Sequence, residues 1–142
     1  MNTVRVFRVV DENSHGMYTG SISVFDGEDY VNGSLWVVSC GSNSYSDEHP
    51  SPDSDGIPRY YLEPDTLFAF QSISLLQKWI YKSIWIENMT KNGGRIVCFK
   101  VDSDQVIYGS KQCVFNSEFA TIEYSLPIKD AIALEESKGN LL

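Results

Sequence analysis

Polar and apolar residues alternate over positions 3–10, so Val4, Val6, Arg8 and Val10 share one face of an expected strand and Thr3, Arg5, Phe7 and Val9 the other. Two further apolar runs, 21–25 and 33–40, read as strands, the second continuous enough to be buried. Positions 26–32 between them carry Asp-Gly turn chemistry. The segment 67–91 is the one the chain is organised around: a short apolar strand at 67–70 running into its longest helical pattern. Ser72 or Ser74 can cap that helix, because a hydroxyl accepts from an N–H that has no intrahelical partner. Leu75, Leu76, Trp79 and Ile80 recur at helical spacing, Ile84, Trp85, Ile86 and Met89 extend the apolar surface, and Asn92-Gly93-Gly94 ends it. Short apolar runs at 95–101, 106–109, 112–115 and 119–125 then follow with the regular spacing of antiparallel strands, and 127–138 holds one amphipathic turn or two with Ile128, Ile132 and Leu134 inward.

The fold expected from this order is α+β: one mostly antiparallel sheet, whole or split, with a principal helix from about Ser74 to Lys91. A β-rich sandwich carrying the same helix is the alternative. At 142 residues the chain is expected to form a single domain, 1–142, large enough to bury about 70% of its unfolded surface without staples. Residues 41–64 interrupt the pattern. They hold four of the five prolines and read as one long irregular loop, a length that in a small domain points to function or to disorder.

Charge changes the picture. With 19 acidic against 11 basic side chains the net charge is −8, which argues against direct nucleic-acid binding, since that needs a basic stripe. An acidic surface can instead attract a basic partner through long-range steering, including a host protein that itself binds DNA; the plainer alternative is a soluble bacterial-type protein of ordinary acidic balance. Asp47, Glu48, Asp53 and Asp55 concentrate acid in the long loop and are the candidate protein-binding residues. Asp53-Ser54-Asp55-Gly56 matches only the opening of a calcium loop, without the later ligands, so no metal site is expected. Cys40, Cys98 and Cys113 form no CxxC pair and read as inert core thiols of a reducing cytoplasm, and no apolar run is long enough for a membrane span.

Candidate chemistry is sparse. His15 and His49 lie in separate loops, His15 reading as solvated. No GxSxG elbow, Walker loop or GxGxxG fingerprint occurs, so no catalytic residue is assigned. Arg8 is the notable position, a charge on an apolar face, which is costly unless it is paired or stands at the mouth of a site. Tyr60, Tyr61, Trp79 and Trp85 offer rings on which a base could stack, the tryptophans being better suited to a core.

Arg8 on the first strand, Ser72 and Ser74 where a strand feeds a helix (FQSIS), and Gln112 at the start of a late strand (KQCVF) together resemble the three-part pattern of ADP-ribosyltransferase folds. The resemblance implies a site for NAD or an ADP-ribose-type ligand, with Arg8 on a phosphate or ribose and the serines on the ribose side; no other cofactor is implied. The sequence departs from the pattern in having Ile73 for the middle threonine and Gln112 for the catalytic glutamate, with Glu118 or Glu123 as a displaced carboxylate. Without that carboxylate the site would bind rather than turn over. In the VFRVV strand, the HPSPDSD loop, the FAFQSISLLQKW strand–helix and the later CFKV and YGSKQCVF strands, the chain also resembles small accessory proteins of bacteriophages and prophages. That likeness implies action on the host cell: inhibition of a host defence protein by binding, or sequestration of a nucleotide signal. The ADP-ribosyltransferase resemblance implies modification of a host macromolecule.

Overall fold

The computed structural model describes residues 2–16, 54–57 and 65–140. The expected strands at 21–25 and 33–40, the turn between them, Cys40, His49, Tyr60 and Tyr61, and Asp47, Glu48 and Asp53 of the acidic loop lie outside the described residues. The described residues fold as α+β, with two small antiparallel sheets and three α-helices. In the first sheet β1 (Thr3–Val10) pairs along its whole length with β3 (Arg95–Asp102), which pairs on its other side with β6 (Ala120–Pro127). The second sheet sets β5 (Cys113–Asn116) between β2 (Thr66–Ala69) and β4 (Val106–Tyr108). One bridge joins the sheets: Phe7 and Phe70 each donate their N–H to the other's carbonyl, both at 2.8 Å.

Period-two alternation sends the two faces of β1 into different cores. Phe7 and Val9 pack with Phe70, Trp79, Met89 and Ile96 beneath the helices. Val4 and Val6 pack with Val101, Val106 and Phe115 between the sheets, where Phe99 and Phe115 stand 4.9 Å apart. The result is a split sheet folded partly into a sandwich, with helices on one outer face.

The helical stretch expected as one element is two: α1 (Ile73–Trp79) and α2 (Ser83–Lys91). The Leu76–Trp79–Ile80 stripe would continue through Ser83 and Glu87, which are polar, whereas Trp85 and Met89 lie out of phase with it. A break at Ile80–Lys82 restores the phase, burying Trp79, Ile80 and Met89 while Tyr81 and Ile84 face solvent. Ser72 caps α1 as expected, its Oγ accepting from the Leu75 N–H at 3.1 Å. Gly93 takes a φ of 91° at the end of α2, and the Gly94 N–H donates to the Met89 carbonyl at 2.8 Å.

The longest helix among the described residues is α3 (Ile128–Asn140), where only a turn or two is expected. Its stripe is thin, Ile128, Ala131 and Ile132, and the next position on that face is Glu135. Leu134 is only half-buried. Hydrophobic periodicity therefore underreports a helix whose last inward residue is a carboxylate.

Candidate functional site

The four residues of the expected ligand pocket do not gather around one opening. Arg8 is 9% exposed, and its Nη1 donates to the Phe68 carbonyl at 3.0 Å. The Asp11 carboxylate, accepting from the N–H groups of Asn13 and His15, closes a turn that brings Gly16 back over the guanidinium. A Cβ on Gly16 would lie 2.6 Å from Arg8 Cζ, so a larger residue there would push the guanidinium aside. Burial lowers the Arg8 pKa, and no carboxylate among the described residues forms an ion pair with it. His15, expected in a solvated loop, is 60% exposed.

Gln112 is 2% exposed, and its backbone N–H donates to Asp55 Oδ2 at 2.9 Å. Ser74 faces solvent on α1, and the Ser72 hydroxyl serves as the helix cap. Asp55, expected on an exposed acidic surface, does not present its carboxylate there. It is buried beneath the β4–β5 hairpin and accepts from the backbone of Lys111 and Gln112.

Among the described residues a cleft of about 700 Å³ opens beside the first half of β1, lined by Thr3, Val4, Arg5, Phe7, Gln71, Ser72, Ile73, Tyr108 and Glu135. Of the expected residues only Ser72 lines it. The arginine that reaches it is Arg5, on the opposite face of β1 from Arg8. Arg5 Nη1 and Nη2 each donate at 2.8 Å to one oxygen of Glu135, and Nη2 and Nε donate to Glu123 at 2.6 and 3.0 Å. Tyr124 donates its hydroxyl to Glu135 at 2.9 Å, while Lys138 and Lys100 complete the charge cluster.

The signal for Arg5 in the sequence was its place two residues before Phe7. A face that runs Thr, Arg, Phe, Val leaves the core at its first half. The partner Glu135 is one turn beyond the Ala131–Ile132 stripe, and Glu123, considered as a displaced catalytic carboxylate, is instead tied to Arg5.

The electrostatics fit binding better than acid–base work. Burial pushes Glu123 and Glu135 up, but the Arg5 hydrogen bonds and the Arg5 and Lys138 charges outweigh it and both end below their ordinary value. Burial and the Glu135 hydrogen bond raise Tyr124, and burial raises the Cys98 thiol to about 11 and the Cys113 thiol to about 12. Each shift moves its group away from neutrality, where a general acid or base is most effective.

Carboxyls with a lowered folded pKa stabilise the protein above their unfolded value near 4.5, and that contribution is lost as pH falls through the folded value. Urea unfolding is expected to show stability declining from about pH 4.5 downward. Arg5→Ala is expected to cost about 1–2 kcal/mol at neutral pH and to flatten this acid limb. An acid limb as steep in Arg5→Ala as in the wild type would remove the cluster as its source.

Fold and cleft thus define a small α+β protein with two antiparallel sheets and a paired-charge surface cleft, without a metal-binding cluster or an assembled catalytic constellation among the described residues. No helix among them is long and apolar enough to cross a membrane. Residues 1–129 match the family model described as bacteriophage T4 Y00F protein, and the chain belongs to that family. No curated protein and no solved structure matches. The comparisons bear out the phage resemblance and draw no connection to ADP-ribosyltransferases.

Proposed function

We propose that this phage accessory protein binds a host defence protein in the host cytoplasm and inhibits it by occluding its surface. The observation that carries the reading is the closure of the alternative site. Arg8, the fork suited to a diphosphate, is covered by Gly16 and engaged with the Phe68 carbonyl, and Gln112 is enclosed in the body of the protein. The open cleft offers paired charges and strand edge, which suit a polypeptide. The net charge of −8 favours a basic partner through long-range steering.

A second reading, sequestration of a nucleotide signal, is favoured by Tyr108, Gln71 and Ser72 lining the cleft beside Arg5, an arrangement in which a base could stack on the tyrosine. Modification of a host macromolecule by ADP-ribosyl transfer has less support, because the position of the catalytic glutamate is filled by Gln112.

Melting the protein with NAD, ADP-ribose and cyclic ADP-ribose separates the readings, since a ligand at 100 times its Kd adds about 2.7 kcal/mol to stability. The expected result is no shift, together with capture from host lysate of a protein whose retention weakens as salt rises. A rise of several degrees with any of the three ligands, and no salt-sensitive capture, would overturn host-protein binding in favour of the nucleotide readings.

A further inference from the structure

Resting on the host-protein reading, we infer that the partner is gripped by strand addition: an extended partner segment, alternating basic and apolar side chains, pairs with the free edge of β1 at Thr3 and Arg5. In an antiparallel ladder the N–H and C=O of alternate residues point to the same side. Phe7 directs both groups away from β3, to Phe70. Asn2, on the opposite phase, directs its carbonyl to the Ser103 N–H on the β3 side, at 3.0 Å. Thr3 and Arg5 share the phase of Phe7, so their N–H and C=O face the cleft.

The neighbour that satisfies Phe7 does not continue past it. After Phe70 the chain turns through Gln71 and Ser72 into α1, and among the described residues no backbone group bonds to the cleft side of Thr3 or Arg5. Four backbone groups are left as a short template for a strand, two residues or about 7 Å apart.

The sheet's two edges differ in a way that singles out this one. On β6 the pairing slips between Cys98 and Phe99, leaving Glu123 as an extra residue opposite the junction, and Glu118 and Lys100 add charge nearby. A bulge and charges are devices that block edge pairing. The β1 edge is regular over Thr3–Val10 and has neither bulge nor proline.

The cleft walls state what the added strand must carry. Val4, Ile73 and Tyr108 supply apolar and aromatic surface, and Arg5–Glu135 supplies polar surface. An extended segment presents its side chains alternately to the two; the Arg5–Glu135 pair is itself balanced, and it is the net charge of −8 on the chain as a whole that favours basic side chains in the polar phase.

The test is selection of a randomised 12-residue peptide display library on the full-length chain, followed by synthesis of the enriched peptides. Enriched peptides are expected to alternate apolar and basic residues. N-methylation of alternate peptide nitrogens in one phase is expected to weaken binding about tenfold or more, and in the other phase to leave it unchanged, because only one phase donates to the edge.

Thr3→Pro deletes a cleft-facing N–H at the first residue of a strand, where proline is tolerated, and is expected to weaken the same peptides about tenfold at an unchanged melting temperature. No enriched peptide, or enriched peptides indifferent both to methylation phase and to Thr3→Pro, overturns the inference. A host protein captured equally by wild type and Thr3→Pro also overturns it while leaving host-protein binding standing. Phase-sensitive peptides without any host protein captured would support the edge and remove the function it rests on.

Discussion

Trp79→Ala is expected to lower stability by about 3–5 kcal/mol, the largest loss from any single truncation on the helical side of the protein. Trp79 is 1% exposed, and its ring lies 5.5 Å from Phe70 at a tilt of 60°. It is the last residue of α1, and Phe70 is the bridge from the second sheet to β1, so one contact clamps α1 to the junction of the two sheets. Its removal leaves a void the size of an indole where helix, bridge and sheet meet, and backbone pairing at Phe7 limits how far the walls can close. Against a total of about 5–15 kcal/mol this is a large fraction. Trp85→Ala is the internal control. Trp85 is half-buried against Tyr81 and Lys82, whose Nζ lies 4.9 Å from the ring centroid, and its loss is expected to cost about 1–2 kcal/mol. Urea unfolding of both variants at 25 °C checks the pair, and equal losses would show that α1 is not clamped through Trp79.

Much of this arrangement was legible because strand alternation is a local property. The β1 and β3 runs, the Ser72 cap and the Gly93 stop each depend on residues within a few positions of one another. What escaped depends on distant partners. The break between α1 and α2 is a change of stripe phase that shows its meaning only when both stripes must reach one core. The length of α3 was hidden because its inward face passes from Ala131 and Ile132 to Glu135, and Glu135 is an inward residue only because Arg5, 130 positions away, receives it.

The site divides along the same line. Arg8 reads from the sequence as a charge on an apolar face, but whether such a charge lines a mouth or is covered depends on Gly16, placed by the Asp11 turn. Arg5 carries no such mark, because a charge at the start of a strand is ordinary. Its place on the cleft follows from where the chain departs after Phe70, a fact of tertiary structure.

Asp55→Ala is expected to cost about 2–4 kcal/mol, through the opposite kind of long-range contact. Asp55 is 5% exposed, and both its carboxylate oxygens accept from the Lys111 N–H at 3.0 Å while Oδ2 also accepts from the Gln112 N–H. Its carbonyl accepts from the Ser110 N–H at 3.0 Å, and Gly109 packs so closely that a Cβ there would overlap the carboxylate. A carboxylate from a distant segment thereby satisfies the backbone donors of the β4–β5 turn. Alanine would take this acceptor from the Lys111 and Gln112 N–H groups, and at the buried Gln112 that costs more than the bond itself contributes. Asp55→Asn keeps one acceptor oxygen and is expected to lose about 1–2 kcal/mol. Amide exchange at Lys111 and Gln112, accelerated in the order wild type, Asn, Ala, reads the effect locally; unchanged exchange in Asp55→Ala would mean that the turn closes without the carboxylate. The consequence reaches the functional test. Neutralising Asp55 along with Asp47, Glu48 and Asp53 would loosen the hairpin that carries Tyr108 to the cleft, so lost partner binding in that fourfold variant would confound charge with structure. Neutralising Asp47, Glu48 and Asp53 alone, with Asp55 kept, makes a loss of salt-sensitive capture attributable to the acidic loop, and retained capture would leave the β1 edge as the contact.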